Sequence, residues 1–208
     1  MNTQKPEQLG QKGEKVFYLL PAFFVLAIGW SRYLPLENPA LHNFSPVLAL
    51  FFCCALYLRG HLSWLAPTVA VIGSDLVLNP TYGQNSLEPF MLTTYAGYAT
   101  AFMLGKLVAR QRKPLAILGG ILGSSICFYL LTNAFAWISN PAYPKTIAGL
   151  AQSLTVGLPG YPPTYLFFRN SILSDLLFTG IFAFVLEKAL AKSQDKSSEA
   201  TAMTTAKS

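Results

Sequence analysis

Charge is scarce in this 208-residue chain: Asp, Glu, Lys and Arg together make up 12% of it, about half the share of an ordinary soluble domain. A water-facing fold of this length needs more charge than that to cover its surface. Histidine is scarcer still. His42 and His61 are the two present, too few and too far apart for a metal centre built on paired imidazoles. The three cysteines, Cys53, Cys54 and Cys127, are an odd number inside apolar runs and have no CxxC spacing. They are read as small packing residues and not as a disulfide framework or metal site. There is no GxxxxGKS/T, HExxH or GxSxG string, which removes the phosphate-loop, zinc-protease and serine-hydrolase devices. No catalytic residue, cofactor or resident metal is expected, and the chain reads as a non-enzyme.

What is present is apolar. Hydrophobic residues make up 52% of the chain, with 15 Phe, 10 Tyr and 3 Trp. That content is too high for disorder and makes lipid the main solvent. The net charge of +6 raises nucleic acid as a partner, but the positions argue against it. Lys5, Lys12 and Lys15 precede the first apolar run, Lys106, Arg110, Arg112 and Lys113 sit between two runs, and Lys188, Lys192, Lys196 and Lys207 follow the last. These are flanks of membrane segments, not a basic face.

Six apolar runs are read as spans: 16–34, 44–58, 62–78, 90–109, 115–139 and 166–186. The fold expected is therefore an all-α integral membrane protein, with a six-helix membrane domain over 16–188. Disordered cytoplasmic tails are expected at 1–15 and 189–208. With both termini inside, twelve basic residues lie on the cytoplasmic side and three (Arg32, Lys145, Arg169) on the other, the asymmetry that sets orientation. A cleaved signal peptide in the first run is disfavoured by its length, by Pro21 within it, and by the odd span count that removal would leave.

Small residues repeat where helices should touch. Gly97, Ala101 and Gly105 are four apart in the fourth span, and Gly119, Gly120, Gly123 and Ser124 open the fifth. Lipid supplies no hydrophobic force between helices, so these stripes are read as packing within the monomer. The connection from Asn140 to Tyr165 carries Ile147, Leu150, Ala151 and Leu154 at helical spacing and breaks at Pro159-Gly160-Tyr161-Pro162-Pro163. Two readings fit it, an interfacial helix and a lid over an outward pocket.

Polar groups inside the spans are the informative exceptions, because an ionised side chain at the bilayer centre costs ~2.5–3.5 kcal/mol on insertion scales. Asp75 and Asp175 each stand in a Ser-Asp-Leu tripeptide in the last span of each half, which hints at an inverted repeat. At 1.5 Å per residue Asp175 lies ~13 Å below the outer boundary and Asp75 ~5 Å below it. Ser171, Asp175 and Thr179 form one stripe, and Ser125, Tyr129, Asn133 and Trp137 another. Facing each other, they would line a pocket open to the outside. The competing reading is that Asp75 and Asp175 pair with Arg32 and Arg169 as interhelical glue. His42 is carried as a weak further candidate.

Several strings resemble those of a group of bacterial six-span proteins assigned to transport. They are Leu41-His42-Asn43-Phe44-Ser45-Pro46-Val47, Ser74-Asp75-Leu76, Thr132-Asn133-Ala134-Phe135-Ala136-Trp137, Tyr143-Pro144-Lys145-Thr146-Ile147-Ala148-Gly149-Leu150, and Arg169-Asn170-Ser171 leading to Asp175. That group is similar in plan to the substrate-binding S components of energy-coupling-factor transporters. The resemblance implies capture of a vitamin, a vitamin precursor or a metal ion on the outer face of a protein in the bacterial cytoplasmic membrane. It also implies a transmembrane coupling subunit with two ATPases as partner. One departure stands out: the first span offers Ala22, Ala27 and Gly29 in place of the Ala-xxx-Ala docking pattern of many S components, so a solitary mode stays open.

The first expectation is thus a transport protein that takes a small molecule into an outward pocket lined by Asp75, Asn133, Trp137, Arg169, Asn170 and Asp175. Asp and Asn would exchange hydrogen bonds with it, Arg169 would meet an anionic group, and Trp137 would stack on a ring. A non-transporting scaffold with the same residues as glue is the second. A membrane enzyme with a close carboxylate pair is the third.

Overall fold

The computed structural model describes residues 28, 31, 38–58, 60–81, 83 and 88–205, with side-chain surroundings through residue 188 apart from 39, 78 and 81. Six α-helices follow one another: α1 (Val47–Tyr57), α2 (Leu62–Thr81), α3 (Phe90–Val108), α4 (Pro114–Ser139), α5 (Ile147–Leu154) and α6 (Thr164–Thr205). A single 3-10 turn, Pro39–Leu41, precedes them. The described residues contain no strand. The all-helical expectation therefore holds, and five of the six apolar runs correspond to helices. The first run, the tail at 1–15 and Arg32 lie outside the described residues, except that Ile28 and Ser31 are helical and buried.

Among the described residues two helices are long and apolar enough to cross a membrane: Pro114–Ser139, and Thr164–Lys188 within α6. Their outer faces are apolar and exposed, as at Leu115, Leu130, Leu173 and Phe184. Over 189–205, where a disordered tail is expected, α6 runs on as helix. The physical reason is composition. The segment has neither Gly nor Pro, and its Ala, Lys, Gln and Glu are good helix formers.

The helix α1 sits at the centre, and all eleven of its residues are buried. It packs on α2, α3, α4 and α6. Eleven residues rise only ~16 Å, about half the hydrocarbon thickness. Its ends therefore fall inside the protein, and their backbone groups need partners there. At the N-terminal end the Val47 N–H takes the Ser45 hydroxyl at 3.4 Å, and the Ala49 N–H faces the Asp175 carboxylate. At the other end Lys106 Nζ donates to the Leu58 carbonyl at 3.2 Å and Arg112 Nη2 to the Leu56 carbonyl at 3.5 Å. Anion at the start and cations at the end both oppose the helix dipole.

The small-residue stripe of α3 explains how α1 comes so close. A Cβ on Gly105 would stand 2.4 Å from the Phe52 carbonyl oxygen and 2.8 Å from the Ala55 Cβ. On α4, Gly120 likewise leaves room for the Phe52 ring, whereas a Cβ on Gly119 would meet nothing. Packing within the monomer thus uses one side of the α4 glycine group and leaves the other open. Above these contacts the rings of Phe51, Tyr98 and Phe128 stack in a column across α1, α3 and α4, with centroids 5.1 and 5.5 Å apart.

Candidate functional site

The connection before α1 is held against the start of α6 by one side chain. Asn170 Nδ2 donates to the Ala40 carbonyl at 2.8 Å and to the His42 carbonyl at 2.9 Å. Its Oδ1 accepts from Arg169, Nη2 at 3.1 Å and Nε at 3.3 Å. The Ser171 hydroxyl reaches toward the Asn43 carbonyl at 3.5 Å, and the His42 ring meets Phe167 edge-on. Asn43 turns the chain in the left-handed region at φ 62°, a conformation Asn tolerates better than most residues. The buried amide of Asn170 is thus a clamp, and the exposed guanidinium of Arg169 rests on it.

The C-terminal half of α4 meets the same region from the other side. Tyr129 stacks on Phe168 with centroids 4.3 Å apart and donates its hydroxyl to the Leu154 carbonyl of α5. Asn133, one turn on, bonds back to the Tyr129 carbonyl at 2.8 Å through Nδ2. Trp137 Nε1 donates to the Pro144 carbonyl at 2.8 Å, and Lys145 returns its ammonium to the Trp137 and Asn140 carbonyls. Burial pushes the Tyr143 phenol above its ordinary value. The helix α5 begins at Thr146, whose hydroxyl accepts from the Gly149 N–H at 3.2 Å. A Cβ on Gly149 would stand 1.9 Å from the Pro144 carbonyl oxygen, so only glycine admits this fold-back. The small side of α5, Gly149 and Ser153, is buried, while Ile147 is 88% exposed.

The two acidic residues sit apart. Asp175 is 2% exposed and accepts the Ser125 hydroxyl of α4 at 2.7 Å. Asp75 is 5% exposed and accepts the Tyr95 hydroxyl of α3 at 2.6 Å. The sequence-derived set thus divides. Asn133, Trp137, Arg169 and Asn170 belong to the layer formed by the ends of α4 and α6, α5 and the connection before α1. Asp175 lies beneath it on the α1–α4–α6 seam, joined to Ser125 as the two polar stripes suggested. Asp75 belongs to the α2–α3 pair. Arg169 bonds Asn170, not Asp175.

Three contributors escaped the sequence reading. Tyr95, twenty residues from Asp75, gave no spacing signal. The Ala49 N–H is backbone and has no signature. Lys106 was read as a flank, although its place in the last turn of an apolar helix was a usable sign of a carbonyl-capping cation.

A family model described as a family of unknown function (DUF6580) matches residues 12–198. Neither the curated proteins nor the solved structures contain a match to the chain.

Proposed function

The chain belongs to the DUF6580 family, and we propose that it is a multi-pass protein of the bacterial cytoplasmic membrane that captures a small molecule on its outer face for transport. In this reading six helices cross the bilayer with both termini cytoplasmic, and the α4–α5–α6 layer is the receiving end. The observation that carries it is Arg169, an exposed cation positioned by the Asn170 clamp, whose hydrogen bonds among the described residues all go to that amide. A guanidinium so placed has N–H groups to spare for an anionic group. The exposed flank of Trp137 offers a surface for a ring, and Asn133, one turn before it on α4, has no hydrogen bond to its amide oxygen among the described residues. The S-component-like plan supports a transmembrane coupling subunit with ATPases as partner. Native mass spectrometry of the purified protein tests the reading. A small anionic molecule is expected to leave with the wild type, and Arg169→Ala is expected to bind it at least tenfold more weakly. An empty wild-type protein indistinguishable from Arg169→Ala would refute it.

A second reading is favoured by Asp75 and Asp175, which spend their carboxylates on helix-to-helix bonds as a scaffold would. Under it Tyr95→Phe should cost ~1–3 kcal/mol, the penalty for removing one partner of a buried acceptor, with no change in any bound molecule. A thermal melt equal to the wild type's would exclude that role for the pair.

A further inference from the structure

The carboxylate of Asp175 lies where α1, α4 and α6 meet. The groups facing it are neutral: the Ser125 hydroxyl and the Ala49 N–H. Among the described residues it forms no ion pair within 4.0 Å. The start of a helix carries about half a positive charge, so two neutral donors and that dipole leave part of a unit charge uncompensated in a low-dielectric setting.

One turn along the same face stands a second buried hydroxyl with no oxygen or nitrogen partner among the described residues. This is Oγ1 of Thr179, a residue 4% exposed. A helical threonine ordinarily returns its hydroxyl to the carbonyl four residues back, as Thr132 does to Phe128 and Thr155 to Ala151. Thr179 instead turns its hydroxyl to the Cys53 thiol on α1, a weak hydrogen-bond partner that a hard cation outcompetes, one turn below the Ala49 rung that meets Asp175. Residues four apart on a helix are ~5–6 Å apart at Cβ, so a small ion can touch both side chains.

We propose that Asp175, Ser125 and Thr179 hold a monovalent hard cation, Na⁺, on the α1–α4–α6 seam. The Ser125 hydroxyl has one proton and two acceptors in reach, the Ile121 carbonyl at 3.0 Å and Asp175 Oδ2 at 2.7 Å. With the ion present the proton turns to Ile121 and a lone pair faces the ion. One carboxylate with neutral oxygens carries a single negative charge, which a monovalent ion cancels and a divalent ion over-compensates. Among the described residues no group of three His, Cys, Asp or Glu forms, so softer metals lack the donors they need. This site goes beyond the capture of a small molecule at Arg169; either can fail alone.

The test is thermal melting of the full-length protein in lipid nanodiscs, at fixed pH and ionic strength, in mixtures of NaCl and choline chloride. Tm is expected to climb with Na⁺ and level off. Thr179→Val should move the half-saturating concentration up at least tenfold while melting in choline chloride no lower than the wild type. Asp175→Asn should show no response to Na⁺. Coincident wild-type curves in the two salts would overturn the proposal, as would wild-type half-saturation in Thr179→Val. A Tm that follows pH and ignores Na⁺ would identify the occupant as a proton and overturn it equally. Where Asp175→Asn fails to fold, Thr179→Val decides.

Discussion

Gly105→Ala is expected to lose most of its folded yield, although it adds one methyl group. The new Cβ would sit 2.4 Å from the Phe52 carbonyl oxygen. The obstacle is backbone in the middle of a fully buried helix, so no side chain can swing away. Overpacking a core costs ~1–3 kcal/mol when side chains can adjust, and here the whole of α1 must move off α3. That movement would also pull the Leu58 carbonyl from Lys106, four atoms of stem below the same α3 turn. At ~2–4 °C per kcal/mol for a chain of this size, a fall in Tm of at least ~6 °C is expected. Gly119→Ala is the control. Its Cβ would meet nothing, and alanine is the better helix former by ~1 kcal/mol, so its Tm should stay level or rise. Equal melting of the two variants would refute the packing account of α1.

Asn170→Asp is the second large effect, and it exchanges one nitrogen for oxygen at nearly constant volume. The amide nitrogen now donates to two carbonyls, of Ala40 and His42. A carboxylate would set negative oxygen against both and leave two acceptors without a donor. A stranded acceptor costs ~1–3 kcal/mol when buried, and the exposed Ala40 and half-buried His42 put these two at the low end. The Arg169 guanidinium would gain from the new charge, but an exposed pairing of this kind returns only ~1 kcal/mol or less. The expected result is local: faster backbone hydrogen exchange over residues 40–46, with the α1–α3 packing protected as before. Under the proposed transport role, weaker binding of the small molecule should accompany it, because the clamp sets where Arg169 stands. Unchanged exchange in the 40–46 connection would show that Asn170 does not hold it.

Some of this site could be read from spacing alone. Ser125 and Asp175 each belong to a polar stripe with residues four apart, and a helix forces such a stripe onto one face; the bond between them follows once α4 and α6 touch. The strings around Asn133–Trp137 and Tyr143–Leu150 carried a resemblance only, and the fold-back onto Pro144 came from the structure. The Asp75–Tyr95 bond could not be read, because the partner sits on another helix and nothing in a sequence gives the rotation of one helix against the next. The clamp made by Asn170 could not be read for the same reason. In sequence Asn170 reads as a ligand for something external, and its amide is used by two carbonyls more than a hundred residues away.

The sequence by itself determined that the chain is helical and rich in long apolar segments, since low charge, long apolar runs and glycines four apart act locally and need no tertiary contact to be recognised. It also placed five of the helices, although α2 runs past Asn79-Pro80 to Thr81 and α6 past Leu186 to Thr205. Only the tertiary structure decided that Val47–Tyr57 is a short central helix buried on every side, with its two ends completed by Asp175, Lys106 and Arg112 from other elements. The reason is physical: an unsatisfied helix end inside an apolar interior must be answered by whichever polar side chain the packing brings to it, and packing is a property of the assembled chain.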